Sequence, residues 1–450
     1  MINKPLKEYL NQLDGVMHTT LDPNGPGVVR IHLIPPKIRK IGYPFVCILN
    51  GQNILPVNTT YGVIIAKLIE NINAYYQSDL KDNDFDIIAK NTLNDISKLY
   101  KKAPESLIKE DIKDILDVLV KVARNEKPDL EIGYMSIQEY AKYLNAPLRM
   151  DLMVSSMQKD NHYNCNHHCM FCYAGDQSLA TVDEIDTDSW KKIIDKLKEA
   201  GVSQLTFTGG EATFRDDLVS LVDYAKFFVT RLNTNGVLLS SKLARELYDA
   251  SLDSVQITLY SANEDIHNML TGSKCFKQTI EGIKNALNAN LNVSINTPLC
   301  TLNENYLETL KYLHSLGIKY FTFSSIIETG NATDNLKLVI EKDKLSNIIS
   351  TAKKYCDDNN LEIDFTTPGA LDKSLYERLH MKYPLCGACL SNMAIAPNGD
   401  VIPCQSYLSL SLGNLLNDSF NKIFTSKKTK SIQKQAILAD NGCLLKKEAN

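Results

Sequence analysis

The chain has 450 residues, 44% of them hydrophobic, which is enough for two or three domains that each bury a core. Lysine and arginine number 49 against 53 acidic residues, a net charge of −4, so there is no general basic field of the kind that attracts nucleic acid. No run approaches the roughly 20 apolar residues of a membrane helix, and the opening MINKPLKEYLNQLDGV lacks the basic start and apolar stretch of a signal peptide; a cytoplasmic address with no membrane partner is expected.

From Val28, the short extended pieces VVRIHLI and YPFVCIL give way to helical periodicity in TTYGVIIAKLIENINAYY, DFDIIAKNTLNDISKLY and IKEDIKDILDVLVKVARN. Strands followed by three helices predict a winged-helix-like domain over residues 1–130, and the polar NEKPDLE with Pro128 marks its end. Residues 131–149 read as a bridging segment. The helices carry mixed charge without a basic face, which argues against DNA binding.

From Met150 the pattern becomes a regular alternation. Strand-like DLMVS, SQLTFTG, FVTRLNTNG, SVQITLY, NVSINTPL and YFTFSSI alternate with amphipathic stretches such as SWKKIIDKLKEAG and FKQTIEGIKNALNAN. This predicts an α/β fold with a partial (β/α)6 TIM-like barrel over residues 150–370. Gly209-Gly210 and Asn235-Gly236 fall where the second and third strands end, the face that carries chemistry in such folds. Residues 371–450 hold four cysteines and the turn Pro397-Asn398-Gly399-Asp400, a region too small for a self-sufficient core that bound metal would stabilise.

The eleven cysteines are clustered: Cys165, Cys169 and Cys172 lie within eight residues, and Cys386, Cys389, Cys404 and Cys443 lie near the end. In a reducing compartment such clusters suggest metal in preference to disulfides. Three thiolates on a four-iron cluster leave one iron without a protein ligand, a vacancy that a chelating cofactor can fill. A zinc loop recruiting His162, His167 or His168 is the alternative reading. Cys47, Cys275 and Cys356 sit in strand or helix patterns and read as core.

Cys165-Asn-His-His-Cys169-Met-Phe-Cys172 resembles the C-x3-C-x-φ-C signature of the radical S-adenosylmethionine (SAM) superfamily, with Phe171 as the aromatic φ. Phe207-Thr-Gly-Gly-Glu211 resembles the family's glycine-glycine-glutamate motif, which implies that Gly209, Gly210 and Glu211 bind the methionine amino group of SAM. Val255-Gln-Ile-Thr-Leu-Tyr-Ser261 resembles the fourth-strand segment and implies that Gln256, Thr258 and Ser261 line the ribose side, although Tyr260 stands where relatives often have Asp. Asn305 matches a recurrent helix-start position and reads equally as a plain polar helix residue. Cys389, Gly399 and Cys404 resemble the C-x9–15-G-x4-C element of SPASM and twitch extensions; with Cys386 and Cys443 they imply one auxiliary [4Fe-4S] cluster beside the SAM-binding [4Fe-4S] cluster. A four-cysteine zinc site is the alternative there.

The N-terminal outline, with Leu49-Asn-Gly51 and Val57-Asn-Thr-Thr60 before the first long helix, resembles the RiPP recognition element, which holds the leader of a ribosomally made precursor peptide as an added strand. The combined order resembles a peptide maturase. That resemblance implies a 5′-deoxyadenosyl radical that removes hydrogen from a core residue, oxidation through the auxiliary cluster, and a thioether or carbon–carbon crosslink, with a flavodoxin or ferredoxin as electron donor. Three other readings stand beside it. Cys300, at the end of the fifth strand, would return hydrogen in an epimerase, or be a buried small hydrophobe. A sulfatase-maturase-like oxidase of a protein or small metabolite would need no leader. An iron–sulfur DNA-binding regulator would bind DNA in a salt-dependent way.

Overall fold

The computed structural model describes residues 4–13, 15–21, 29–36, 44–51, 53–76, 84–123, 126–129, 133, 145–160, 162–439 and 442–445. Most of the bridging segment expected over 131–149 lies outside the described residues. By contacts the chain divides into two compact units: Met1–Leu148 with Leu197–Gln204 and Phe227–Val229, and the remainder from Arg149 to Asn450.

The first unit begins with helix α1 (Lys4–Gln12) and strands β1 (Met17–Leu21), β2 (Val29–Ile34), β3 (Phe45–Leu49) and β4 (Asn53–Val57). They form an antiparallel sheet in the order β1-β2-β3-β4. Asn50 and Gly51 take φ of 49° and 69° between β3 and β4, a turn conformation that suits Asn and Gly. Pro56 is tolerated because β4 is an edge strand of this sheet among the described residues. Helices α2 (Thr59–Tyr76), α3 (Asp84–Leu99) and α4 (Glu105–Ala123) follow, and their apolar stripes close one core with the sheet around Leu33, Phe45, Cys47, Ile64, Ile96 and Leu119. Gly62 lets α2 lie on β3, since a Cβ there would fall 2.3 Å from the Phe45 ring. Strands then three helices is the expected outline; α1, β1 and β4 are additions to it.

The second unit is built on a sheet that runs, among the described residues, from β13 to β16 in the order β13-β12-β11-β10-β9-β8-β5-β14-β15-β16. Its centre is the barrel: β5 (Arg149–Ser155), β8 (Gln204–Gly209), β9 (Val229–Thr234), β10 (Ser254–Thr258), β11 (Asn292–Leu299) and β12 (Tyr320–Ser325). The strands from β9 to β12 pair in parallel. Helices α5 (Thr187–Ala200), α6 (Leu218–Tyr224), α7 (Ser241–Asp249), α8 (Glu264–Thr271), α9 (Phe276–Asn288) and α10 (Tyr306–Ser315) lie between them. Asp186, Ser240 and Asn263 start α5, α7 and α8 by accepting from backbone N–H groups. Gly272, at φ 64°, ends α8.

Alternation along the strands sorts side chains by face. On β9, β10 and β11 every second residue, including Leu232, Val255, Ile257, Val293 and Ile295, is buried toward the helices. The intervening residues, Arg231, Asn233, Gln256, Thr258 and Asn296 among them, face the lumen and are polar. A seventh parallel strand, β13 (Glu362–Phe365), follows α11 (Lys342–Asp358) and pairs with β12. Cys356 is buried on α11 with Leu345, Ile349 and Ala352, as its helical spacing predicted.

After α12 (Lys373–Arg378) come β14 (Asn392–Ile395), β15 (Asp400–Ile402), β16 (Gly413–Asn414), α13 (Phe420–Phe424) and α14 (Lys427–Leu438). Strand β14 pairs in parallel with β5, Asn392 opposite Arg149 and Ile395 opposite Leu152. The C-terminal cysteine region therefore extends the barrel sheet at its first strand and belongs to the same compact unit. Between β5 and α5, the short pair β6 (Gln158–Lys159) and β7 (His162–Tyr163) leads into the first cysteine cluster. No helix of the described residues is long and apolar enough to cross a membrane.

Candidate functional site

The loop after β7 carries Cys165, Cys169 and Cys172 and is held by backbone bonds at both ends. Cys172 N donates to Cys169 O and Gly175 N to Cys172 O, both at 3.2 Å. His168 N and Met170 N donate to Thr271 O and Leu270 O at the end of α8. Asn331 adds its backbone N–H to Cys172 O and its side-chain amide to Cys169 O, each at 3.0 Å, and Asn335 donates to Met170 O. Gly330, at φ 59°, is required here because a Cβ would sit 2.2 Å from Cys172 O.

Burial pushes the thiol of Cys165 up to about 12, and burial followed by the proximity of Cys172 and Cys165 holds that of Cys169 well above its usual range. Cys172 is also raised by burial, against the pull of the Ala174 and Gly175 N–H groups. The N–H groups of His167 and Asn166 point in the same way at Cys165. Buried thiols so close together lose their protons only to a cation that replaces them, and N–H groups aimed at sulfur favour the thiolate. Among the described residues no three His, Cys, Asp or Glu side chains close around a single ion. The three thiols line one cavity of about 480 Å³.

Gly209-Gly210-Glu211 ends β8 against this loop. A Cβ on Gly209, at φ 145°, would fall 2.3 Å from Ser155 O; one on Gly210 would fall 2.8 Å from Ser156 O and 2.9 Å from Asn164 O. Cys165 Sγ lies 3.3 Å from Gly210 O. The buried Glu211 carboxylate accepts from Thr213 N and Oγ1, Thr234 Oγ1 and Asn235 N, at 3.1, 2.7, 2.6 and 2.8 Å. These bonds fix its orientation at the cavity wall, where a carboxylate suits an ammonium group.

Gln256 and Thr258 line the same cavity, and Gln256 Nε2 donates to Thr322 Oγ1 at 3.1 Å. Ser261 does not reach its wall; its hydroxyl accepts from Asn263 N and shapes the start of α8. Asn305 is exposed at the start of α10 and makes no side-chain cap bond. Cys300 is fully buried with Phe171, Tyr260, Leu270 and Ile326 in a small apolar cluster and is likewise absent from the cavity wall. Asn303, which the sequence did not single out, ties this corner by donating to Tyr260 O and Pro298 O and accepting from Cys300 N.

Members of the second cysteine set reach the same wall. Cys386, Cys404 and Cys443 line the cavity. Cys389 lies behind them, at φ 57°, with its N–H shared between Asn392 O and Pro403 O. Burial raises the thiols of Cys389 and Cys404, the latter to about 12; Cys404 and Cys386 add to the first, Cys443 and Cys386 to the second. Cys386 and Cys404 are thus neighbours of Cys389, and Cys443 is a neighbour of Cys404. Gln177 joins the two sets: its amide donates to Tyr173 O, beside Cys172, and to Ser406 O, beside Cys404, while its carbonyl accepts from Leu408 N.

Comparison with known proteins agrees with this geometry. The radical SAM superfamily model matches residues 162–313, and the SPASM iron-sulfur cluster-binding domain model matches residues 386–444, a span that includes all four C-terminal cysteines. The chain is 27% identical to PqqA peptide cyclase of Bradyrhizobium diazoefficiens over 55% of its own length and 66% of the relative's. It is 28% identical to GTP 3′,8-cyclase of Aliarcobacter butzleri over 53% and 76%. The crystal structure of Streptococcus suis SuiB bound to precursor peptide SuiA superposes with a TM-score of 0.59 at 14% identity, covering 92% of this chain and 90% of that one. The chain thus carries a radical SAM domain over residues 162–313 and a SPASM iron–sulfur cluster-binding domain over residues 386–444.

Proposed function

We propose that this chain is a radical SAM maturase of ribosomally made peptides. The observation that carries the reading is one cavity walled by the Cys165/Cys169/Cys172 loop, the Gly-Gly-Glu turn and the second cysteine set, with a small sheet-and-helix domain preceding it in the chain. Cys165, Cys169 and Cys172 would hold a [4Fe-4S] cluster that, with SAM, supplies a 5′-deoxyadenosyl radical, and Cys386, Cys389, Cys404 and Cys443 would hold an auxiliary cluster able to accept one electron. Glu211 orients the methionine amino group, and Gln256 and Thr258 face the nucleoside side. A donor such as a flavodoxin or ferredoxin and a cytoplasmic address belong to the same reading.

Support for a peptide substrate comes from the first unit. Among the described residues β4 pairs with β3 alone, and a groove of about 350 Å³ runs beside it, lined by Leu55, Val57, Tyr61, Ile65, Ile115 and Leu119 with Asp114 among the lining residues. An edge strand beside an apolar groove accepts a leader as an added strand: main-chain bonds give affinity and the groove selects side chains. PqqA peptide cyclase is a peptide-modifying relative, and SuiB is a structural neighbour seen with its precursor peptide. The placement of Cys300 in an apolar cluster favours crosslinking or oxidation over epimerisation.

The test is co-expression of the full chain with the short peptides encoded beside its gene. Leader-dependent loss of two hydrogens from the core peptide supports the proposal. Turnover of a truncated core at the same rate would point to a leader-independent oxidase of the kind that acts on proteins or small molecules.

A further inference from the structure

The charged side chains on the cavity wall are Arg149, Glu211 and Arg231. Glu211 is engaged by Thr213, Thr234 and Asn235 as described. Arg149 pairs with the buried Asp151: Nη2 donates to Oδ2 at 3.4 Å, and Nε lies 3.0 Å from Oδ1 without hydrogen-bonding alignment, so its charge has a counter-ion. Arg231 differs from both. On the lumen face of β9 its Nε reaches Ser254 Oγ at 3.4 Å, and no carboxylate of the described residues lies within ion-pair distance.

Arg231 is half-buried in the cavity wall, and a guanidinium partly withdrawn from water without a counter-ion is a ready partner for an anionic ligand. Burial, and after it the charge of Arg149, lowers the Arg231 pKa to about 10 against the pull of Asp151. Two atoms of other residues that line the same cavity are buried without a hydrogen-bond partner: the Thr206 hydroxyl and Asn233 Oδ1. The hydroxyl can donate to an anion, and the amide oxygen can accept an N–H from the group that carries it.

Arg231 precedes Thr234, the partner of Glu211, by three residues on β9, a rise of about 10 Å along the strand. Its Nε turns to Ser254 at the start of β10 and its charge is felt beside Arg149 and Asp151 of β5, whereas Glu211 follows the end of β8, so a carboxylate drawn to Arg231 lies toward the strand starts.

We infer that Arg231 receives a carboxylate of the peptide substrate, contributed by an Asp or Glu side chain or by the peptide's own C-terminus. The inference rests on the peptide reading and adds to it the chemistry that the lumen selects. Arg231 supplies a planar pair of donors for a bidentate bond, Thr206 a third donor, and Asn233 an acceptor for an adjacent peptide N–H.

The test reads binding without turnover, so its failure is distinct from failure of the precursor experiment. The anaerobically reconstituted full chain with SAM is dialysed against labelled N-acetyl-glutamate α-amide, which carries a side-chain carboxylate, N-acetyl-alanine, which carries a terminal one, and the neutral N-acetyl-glutamine α-amide. One carboxylate probe should bind about tenfold tighter than the neutral one, and the better probe names the source. Arg231→Gln should abolish that preference while SAM affinity stays within about twofold; Arg231→Lys, which keeps the charge but loses the fork, should retain part of it. The lysine variant keeps the test decisive where the glutamine variant fails to fold. Equal binding of acid and amide, a preference that survives Arg231→Gln, loss of the preference together with SAM affinity, or full displacement by chloride at matched concentration would each overturn the assignment.

Discussion

The two cysteine sets reach the same cavity by different means. Cys165, Cys169 and Cys172 lie within eight residues on one loop, so local spacing brings them together and distant groups such as Asn331 only clamp the loop. Cys386, Cys389, Cys404 and Cys443 span much of the C-terminal region and are assembled by the pairing of β14 with β5, by Gln433 donating to Cys389 O, and by Gln177. A compact ligand loop is set by its own sequence. A dispersed set depends on the fold around it, and damage to that fold should be felt there first.

Breaking the compact set should have the largest effect. A Cys165/Cys169/Cys172 triple alanine variant should lose about half of its bound iron and all 5′-deoxyadenosine formation, read by iron counting and chromatography. Breaking the dispersed set separates the two: Cys386→Ala with Cys404→Ala should lose a similar share of iron, keep SAM cleavage and lose the modified peptide. Loss of SAM cleavage in that variant would mean that the second set serves the first. Glu211→Gln, which removes the charged partner of the ammonium group, should weaken SAM binding by about 10- to 100-fold with iron content unchanged, measured by equilibrium dialysis.

Two smaller changes sharpen the contrast. Gln177→Ala leaves three backbone groups without their partner and should destabilise the unit by about 1–3 kcal/mol in denaturant melts, with the C-terminal cluster lost before the first on titration with a chelator. Cys300→Ser should have the smallest effect on chemistry. It puts a hydroxyl into an apolar cluster, costs about 1–3 kcal/mol of stability and leaves the product unchanged; a change of product stereochemistry would restore its role as a hydrogen donor.

Much of the barrel was legible because its strands follow one rule. Leu232, Val255, Ile257 and Ile295 face the helices while Arg231, Asn233, Gln256 and Asn296 face the lumen, and that alternation is visible in the residues themselves. Strand β13 was missed because it is short and carries Glu362 and Asp364 on its alternate face. The cysteines, Gly209-Gly210 and Glu211 announced themselves by spacing and residue type. Gln177, Asn303, Asn331 and Asn335 did not: they are ordinary amides whose partners are set by tertiary contacts, and those of Gln177, Asn331 and Asn335 lie up to 231 residues away. Ser261 shows the reverse, a residue that fits a motif yet spends its hydroxyl on a local turn outside the cavity.

The central claim is that the cavity houses SAM-cleaving iron–sulfur chemistry, and the direct test is anaerobic reconstitution with iron and sulfide followed by iron counting and assay for 5′-deoxyadenosine under a strong reductant. The account predicts about eight irons per chain and 5′-deoxyadenosine formed from SAM. Protein that holds zinc in place of iron and leaves SAM intact would contradict it.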